Sequence, residues 1–338
     1  MSGDERRVSL AHGGGGRLTN QLIDELFIYA FDNDTVRSRH DAAELVLPAG
    51  RSALTTDSYV VTPLFFPGGD IGSLAVHGTV NDLAMAGARA VALTCGFIIE
   101  EGLPLDILRR VVESMARAAR DCGVAIVAGD TKVVPRGKAD GLYVNTTGLG
   151  IIEREASIVP SRIKPGDAVI VSGDIGRHGM AVMAARDDLG FESNIESDSA
   201  PLWPLVRDLL ADGLDLHCLR DLTRGGLSSA LNELAEASNT SLEIDEVTVP
   251  VCEPVATLCE ILGLDVMDVA NEGRMVAFVA FDQAERVTSI MHRHEIGHQA
   301  TIVGRVTERS TVPVVLVGRL GQRRVLSMFS GEQLPRIC

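Results

Sequence analysis

Apolar residues along the chain switch repeatedly between a three-to-four spacing and a two-residue spacing, the marks of helices and strands in succession. In LTNQLIDELFIYAF (18 to 31), Leu18, Leu22, Leu26 and Tyr29 or Ala30 fall on one face, which predicts a first amphipathic helix. RSALTTDSYVV (51 to 61) predicts a strand containing Asp57, followed by a proline and glycine loop and a small-residue helix, LAVHGTVNDLAMAGA (74 to 88). Next come an apolar strand (90 to 99), a helix opened by Pro104 with Leu105, Leu108, Val112 and Met115 in helical register, and strands over 124 to 134 and 143 to 152.

In RIKPGDAVIVSGDIG (162 to 176) a turn signal leads into a strand, and a second unit begins. Beyond it, expected helices near 177 to 187, 201 to 212, 225 to 237, 251 to 262 and 283 to 294 alternate with expected strands near 216 to 221, 241 to 245, 274 to 281 and 301 to 307. This is an α+β or α/β pattern whose strand order the sequence does not disclose. The expected division is 1 to 155, 156 to 324 and a mobile tail over 325 to 338, where Gly331 and Pro335 interrupt a stretch without periodicity.

The 338 residues suit two compact domains of about 150 residues each. A net charge of -15 without any Lys/Arg run argues against nucleic acid or an anionic membrane as partner. No apolar stretch approaches the roughly 18 residues of a membrane span and the N-terminus lacks a signal-peptide core, so a cytoplasmic location is expected. The six cysteines show no CxxC pair, as expected of reduced thiols; five lie among apolar neighbours as core filler, and the sixth, Cys338, is the last residue of the sequence.

Four acids stand where a strand or turn changes direction: Asp57 in TTDS, Asp82 in HGTVNDLAMAGA, Asp130 in AGDTKVV and Asp221 in DLTRGGL. Any one of them alone reads as a cap or turn residue. Their flanks alter the reading, because small neighbours let backbone amides approach a phosphate while Lys132 and Arg224 supply charge, and convergent carboxylates hold hard cations. The Gly13 to Gly16 run could cradle phosphate or serve as a linker. His77 reads as a packed, hydrogen-bonded residue, and the spacing of His292, His294 and His298 does not align three metal ligands on one helical face.

Taken in order, HGTVNDLAMAGA, AGDTKVV, DLTRGGL and NEGR resemble the ATP-binding superfamily that includes aminoimidazole ribonucleotide synthetase, thiamine monophosphate kinase and selenophosphate synthetase. The ending PRIC (335 to 338) narrows the resemblance to the HypE group of hydrogenase maturation factors. The resemblance implies a PurM-like architecture of class α/β plus α+β: an N-terminal α/β domain that supplies a homodimer interface, and an α+β domain closing a cleft over ATP. It implies that Asp57, Asp82 and Asp130 hold Mg2+ and ATP with Asp221 assisting, that Lys132 lies near the reacting phosphate, and that Asn271 and Glu272 stand at the reaction centre. For Glu272 the alternatives are proton transfer or a salt bridge to Arg274.

It further implies that Cys338 carries a carbamoyl group which ATP-dependent dehydration turns into a nitrile. The donor would be the carbamoyltransferase HypF, and the nitrile would pass to the HypC-HypD complex for the [NiFe]-hydrogenase iron. Nothing beyond the last residue would obstruct entry into a narrow cleft, and twelve extended residues reach about 40 Å. Its own terminal carboxylate should disfavour the Cys338 thiolate and Arg336 should favour it. Against this stand a small-molecule kinase of the same superfamily, with an incidental tail, and a scaffold that holds ATP as a structural ligand.

Overall fold

The computed structural model describes residues 6–186, 194–328 and 336–338. Helix α1 (Arg17–Leu22) continues through a π-helical turn (Ile23–Ile28) into α2 (Tyr29–Phe31). Leu22, Leu26 and Ala30 of the expected face are buried together with Phe27, whereas Leu18 at the start of the helix and Tyr29, the alternative to Ala30, are exposed. The Phe27 ring meets that of Phe97, with centroids 5.1 Å apart. A short α3 (Asp34–Arg37) is capped by Asn33.

The first sheet uses β1 (Arg51–Tyr59) and three later strands, after a small hairpin of β2 (Phe65–Phe66) and β3 (Gly69–Asp70). Helix α4 (Ile71–Met85) starts at Asp70, whose carboxylate accepts the N–H groups of Gly72 and Ser73, a standard N-cap. Strand β4 (Arg89–Glu100), helix α5 (Leu105–Asp121), β5 (Ala125–Val134) and β6 (Leu142–Ile152) follow, and the strands lie in the order β1-β6-β4-β5. Helices α4 and α5 cover one face. The other face is open, with Leu54 72% and Ile98 44% exposed.

The second sheet has seven strands: β7 (Asp167–Val171), β8 (Leu216–Asp221), β9 (Ser241–Asp245), β10 (Met275–Ala280), β11 (Thr301–Thr307), β12 (Val314–Val317) and β13 (Arg323–Val325). Their order is β13-β12-β9-β11-β7-β10-β8. Helices α6 (Arg177–Ala184), α7 (Trp203–Ala211), α8 (Gly226–Ala237), α9 (Glu253–Leu262) and α10 (Ala284–Met291) accompany it. Strand β10 and residues 168–171 of β7 are apolar throughout because both faces are covered. In β7, Val169 and Val171 join one core, while Ala168 and Ile170 join the other.

The segment expected to be mobile from 325 onward is held in its described parts. β13 pairs with β12, and residues 336–338 lie docked against the body of the protein. Pro335 of the PRIC ending is outside the described residues.

Candidate active site

Residues from both sheets line one cavity of about 500 Å³: Thr55 and Asp57 of β1, Asp82 of α4, Asp221 at the end of β8, Arg224, Glu272 and Cys338. Local backbone demands explain much of the arrangement. After β8 the chain turns into α8 through Gly225 and Gly226, both with positive φ; a Cβ on Gly226 would lie 2.6 Å from the carbonyl oxygens of Met267 and Val269. That turn leaves Asp221 and Arg224 at the cavity edge. In NEGR, a Cβ on Gly273 would come within 1.9 Å of the Asp198 carbonyl, so only glycine lets the chain carrying Glu272 pass there. The Asp198 carboxylate accepts the N–H groups of Glu272 and Gly273 at 3.3 and 3.0 Å.

One amide fixes α4 against this loop. Asn81 Nδ2 donates to the carbonyls of Ala200 (3.0 Å) and Glu272 (3.1 Å), and its Oδ1 accepts from the Leu202 N–H at 2.7 Å. Asp82, the next residue, accepts from the Thr55 hydroxyl at 2.7 Å and lies within hydrogen-bonding reach of Asp221.

Negative charge is concentrated here. Burial raises the Asp82 carboxyl pKa against the Thr55 bond; burial and then the Asp82 charge push Asp221 up to about 7. Burial, followed by the charges of Asp221, Asp198, Asp57 and Asp82, holds Glu272 well above the carboxylate range. Glu272 Oε1 is buried without a hydrogen-bond partner. Burial raises the Cys338 thiol, Glu272 adds to the rise, and Arg224 opposes it. A carboxyl whose folded-state pKa lies above its unfolded value loses stability as pH climbs between the two. The loss should begin near pH 4 and be complete above about 7, and Asp221→Asn should remove it. Thermal unfolding at pH 5 and pH 8 should show the variant's advantage over the parent larger by about 1 to 3 kcal/mol at the higher pH.

Several expected residues are not in the cavity. Asp130 and Lys132 pair with each other at 2.7 Å on the open face of the first sheet. They occupy β5 opposite Gly96 and Ile98 of β4, on the side of the sheet away from α4. The glycine run lies near them, since a Cβ on Gly13 would meet the Val133 nitrogen at 2.7 Å. Asn271 is fully buried with its amide spent on the backbone: Oδ1 accepts from Gly176 at 2.6 Å, and Nδ2 donates to Leu222 and Val269 at 3.1 and 3.0 Å. Its expected place at the reaction centre is corrected to a brace behind it. Asn271→Ala should cost about 2 to 4 kcal/mol in denaturant unfolding by stranding those buried groups.

The alternative salt bridge from Glu272 to Arg274 does not form, because Arg274 bonds Asp174 at 2.7 Å. Arg336 pairs with Asp140 instead of approaching the thiol, leaving Arg224 as the cation that opposes the rise in its pKa. His77 bonds Ser199 and is pulled down to about 4 by burial. His292 and His298 are exposed and bond backbone carbonyls, and no group of three or more metal-holding side chains occurs among the described residues.

Sequence reasoning missed His178, Asn81 and Asp140. The available signals were a histidine in the helix start RHGMAVMA and, for Asn81, its place beside Asp82 in HGTVNDLAMAGA; Asp140 has nothing unusual around it.

The class of protein follows from this arrangement: two α/β layers meet at an acid-lined cleft, and the chain matches the AIR synthase related protein families, the N-terminal domain over residues 39–152 and the C-terminal domain over 164–316. A carbamoyl dehydratase HypE from Rhizobium leguminosarum bv. viciae is 49% identical over 333 residues, 98% of this chain and 95% of that protein. A crystal structure of the hydrogenase maturation protein HypE in complex with ATP superposes with TM-score 0.94 at 47% identity, over 98% of this chain and 99% of that one. A HypE-HypF complex matches with TM-score 0.80 at 47% identity, over 91% and 99% of the two chains. The chain belongs to the HypE family of carbamoyl dehydratases, enzymes of hydrogenase maturation.

Proposed function

We propose that this chain uses ATP and Mg2+ to dehydrate a carbamoyl group borne on Cys338 Sγ, converting S-C(O)NH2 to S-CN for delivery as a cyanide ligand of the [NiFe]-hydrogenase iron. The observation that carries the reading is the presence of Cys338 in one cavity with Asp57, Asp82, Asp221 and Glu272. We take the donor to be HypF and the acceptor to be the HypC-HypD complex. Residues 1 to 155 form the proposed nucleotide and dimerisation domain and 156 to 324 its α+β partner.

The residues fit a divalent cation. Asp82 and Asp221 lie against each other with raised pKa values, and Glu272 has an unmet buried acceptor, so the cavity holds more negative charge than its own cations offset. Magnesium commonly takes one or two carboxylates and completes its shell with phosphate oxygens and water, so a closed protein cage is not required. Asp82 and Asp221 would hold the metal, with Thr55 orienting Asp82 and Asp57 adding negative charge beside them.

When bound, Mg-ATP supplies the phosphoryl group that makes the amide oxygen expellable, and the balance is S-C(O)NH2 plus ATP giving S-CN, ADP and phosphate. Arg224 would offset charge developing beside the sulfur. Glu272 would accept an amide proton, since positive charge among the neighbouring acids lowers its pKa toward neutrality. The half-buried setting of Cys338 would limit competing hydrolysis.

For Asp130 and Lys132 to take part, a second copy is required. We assign the homodimer contact to the open sheet face bearing Leu54 and Ile98, an arrangement that would carry these residues toward a second copy's cleft. Sedimentation at micromolar concentration should give a dimer, and Leu54→Asp with Ile98→Arg should shift it to monomer. A monomeric parent protein would remove this part of the proposal.

The central test is to weigh the carbamoylated protein before and after Mg-ATP. Loss of one water at Cys338 is expected, and ATP consumption without any change there overturns the reading.

A further inference from the structure

The docked chain end is gripped at both described residues before the thiol, Arg336 and Ile337. Ile337 is 5% exposed and packs within the core of the first domain. Its carbonyl lies 2.8 Å from Nε2 of His178, a wholly buried ring whose Nδ1 lies 2.8 Å from the Ser197 hydroxyl. A carbonyl can only accept, so Nε2 carries the proton and Ser197 donates to Nδ1. The Phe66 ring stands edge-on to the imidazole at 5.4 Å. One residue earlier, the Arg336 carbonyl accepts from the Thr62 N–H at 3.1 Å and from Arg186 Nη2 at 3.3 Å. The Arg336 guanidinium pairs with Asp140, which also accepts from the Thr62 hydroxyl at 3.0 Å. Arg336 has φ 54°, a left-handed conformation that a non-glycine residue keeps only where its surroundings hold it.

We propose that His178 and Asp140 are positioning residues that set the register in which the chain end enters the cleft, so that position 338 and no other faces the acids. The purpose rests on the dehydratase reading, whereas the docking does not. A shift by one residue would take Ile337 out of its apolar site and the Arg336 charge away from Asp140, and would leave the buried imidazole N–H without its acceptor. His178 reads a main-chain carbonyl and Asp140 reads a side-chain charge, so together they specify both depth and identity.

The test is the alkylation rate of Cys338 by iodoacetamide in the full chain without nucleotide, mapped by mass, with Cys252 alkylation and the thermal midpoint as controls for an intact fold. Asp140→Asn and His178→Ala should each raise the Cys338 rate by about tenfold, as loss of one buried or charged hydrogen bond lowers the docked fraction. Exchanging the charges, Asp140→Arg with Arg336→Asp, should restore slow alkylation, and His178→Gln, which keeps an N–H donor, should fall between parent and alanine variant. Unchanged Cys338 rates in Asp140→Asn and His178→Ala with the controls steady overturn the proposal, as does an exchanged pair that alkylates as fast as Asp140→Asn. If the rates move as expected while the parent shows no dehydration, the register stands and the dehydratase reading falls.

Discussion

A Cys338→Ala chain is expected to take up no carbamoyl group at all while binding nucleotide like the parent. Burial pushes the thiols of Cys95, Cys122 and Cys218 up to about 12 and that of Cys259 to about 11, so none of them offers a ready thiolate. Cys252, half-buried, is the position to watch for misdirected loading. Intact-mass measurement after incubation with the carbamoyl donor checks the result. Continued single-site loading of the alanine variant would mean that another residue is the carrier. Inside the cleft burial and then Glu272 raise the Cys338 thiol against Arg224, so on the proposed reading loading is expected with residue 338 withdrawn.

Glu272→Gln should lower the dehydration rate by about 10² to 10⁴ with loading and nucleotide affinity nearly unchanged, the range expected when a proton acceptor is removed from a reacting group. Single-turnover mass loss from preloaded protein reads the effect. The variant should fold as well as the parent, because Oε1 forms no hydrogen bond to lose and an amide of the same shape carries no charge to bury. Retention of full single-turnover activity would assign Glu272 to holding the loop and send the search for the base elsewhere.

Much of the architecture was legible because its central strands and helices have strong periods. The strand at 216 to 221 and that at 241 to 245 fall where expected, and helices predicted near 201 to 212 and 225 to 237 run from Trp203 to Ala211 and Gly226 to Ala237. Two strands of the second sheet escaped notice: β12 has four residues and β13 three, all of them exposed in β13, too short to show alternation. The π-helical turn was invisible for a related reason, since a local change of pitch leaves no mark on composition.

The site was legible only by halves. Small residues flanking acids singled out Asp57, Asp82 and Asp221, which meet, and by the same criterion Asp130, which does not. Which face of β5 carries Asp130 depends on pairing across β4, where the register slips between Leu93 and Thr94. A slip of that kind reverses a parity count without any signal in the residues themselves. Contacts such as His178 with Ile337, 159 residues apart, had no local sign.

The Asn81 amide has a mechanical corollary. It sits beside Asp82 on α4 and spends its three polar contacts across the cleft, one on the Glu272 carbonyl and two on Ala200 and Leu202 ahead of α7. Prying the two halves apart would have to rupture those bonds and drag one acid away from its partner in a single movement. The jaw is thus clamped at a set gape, and admission is governed by the shape of what is inserted.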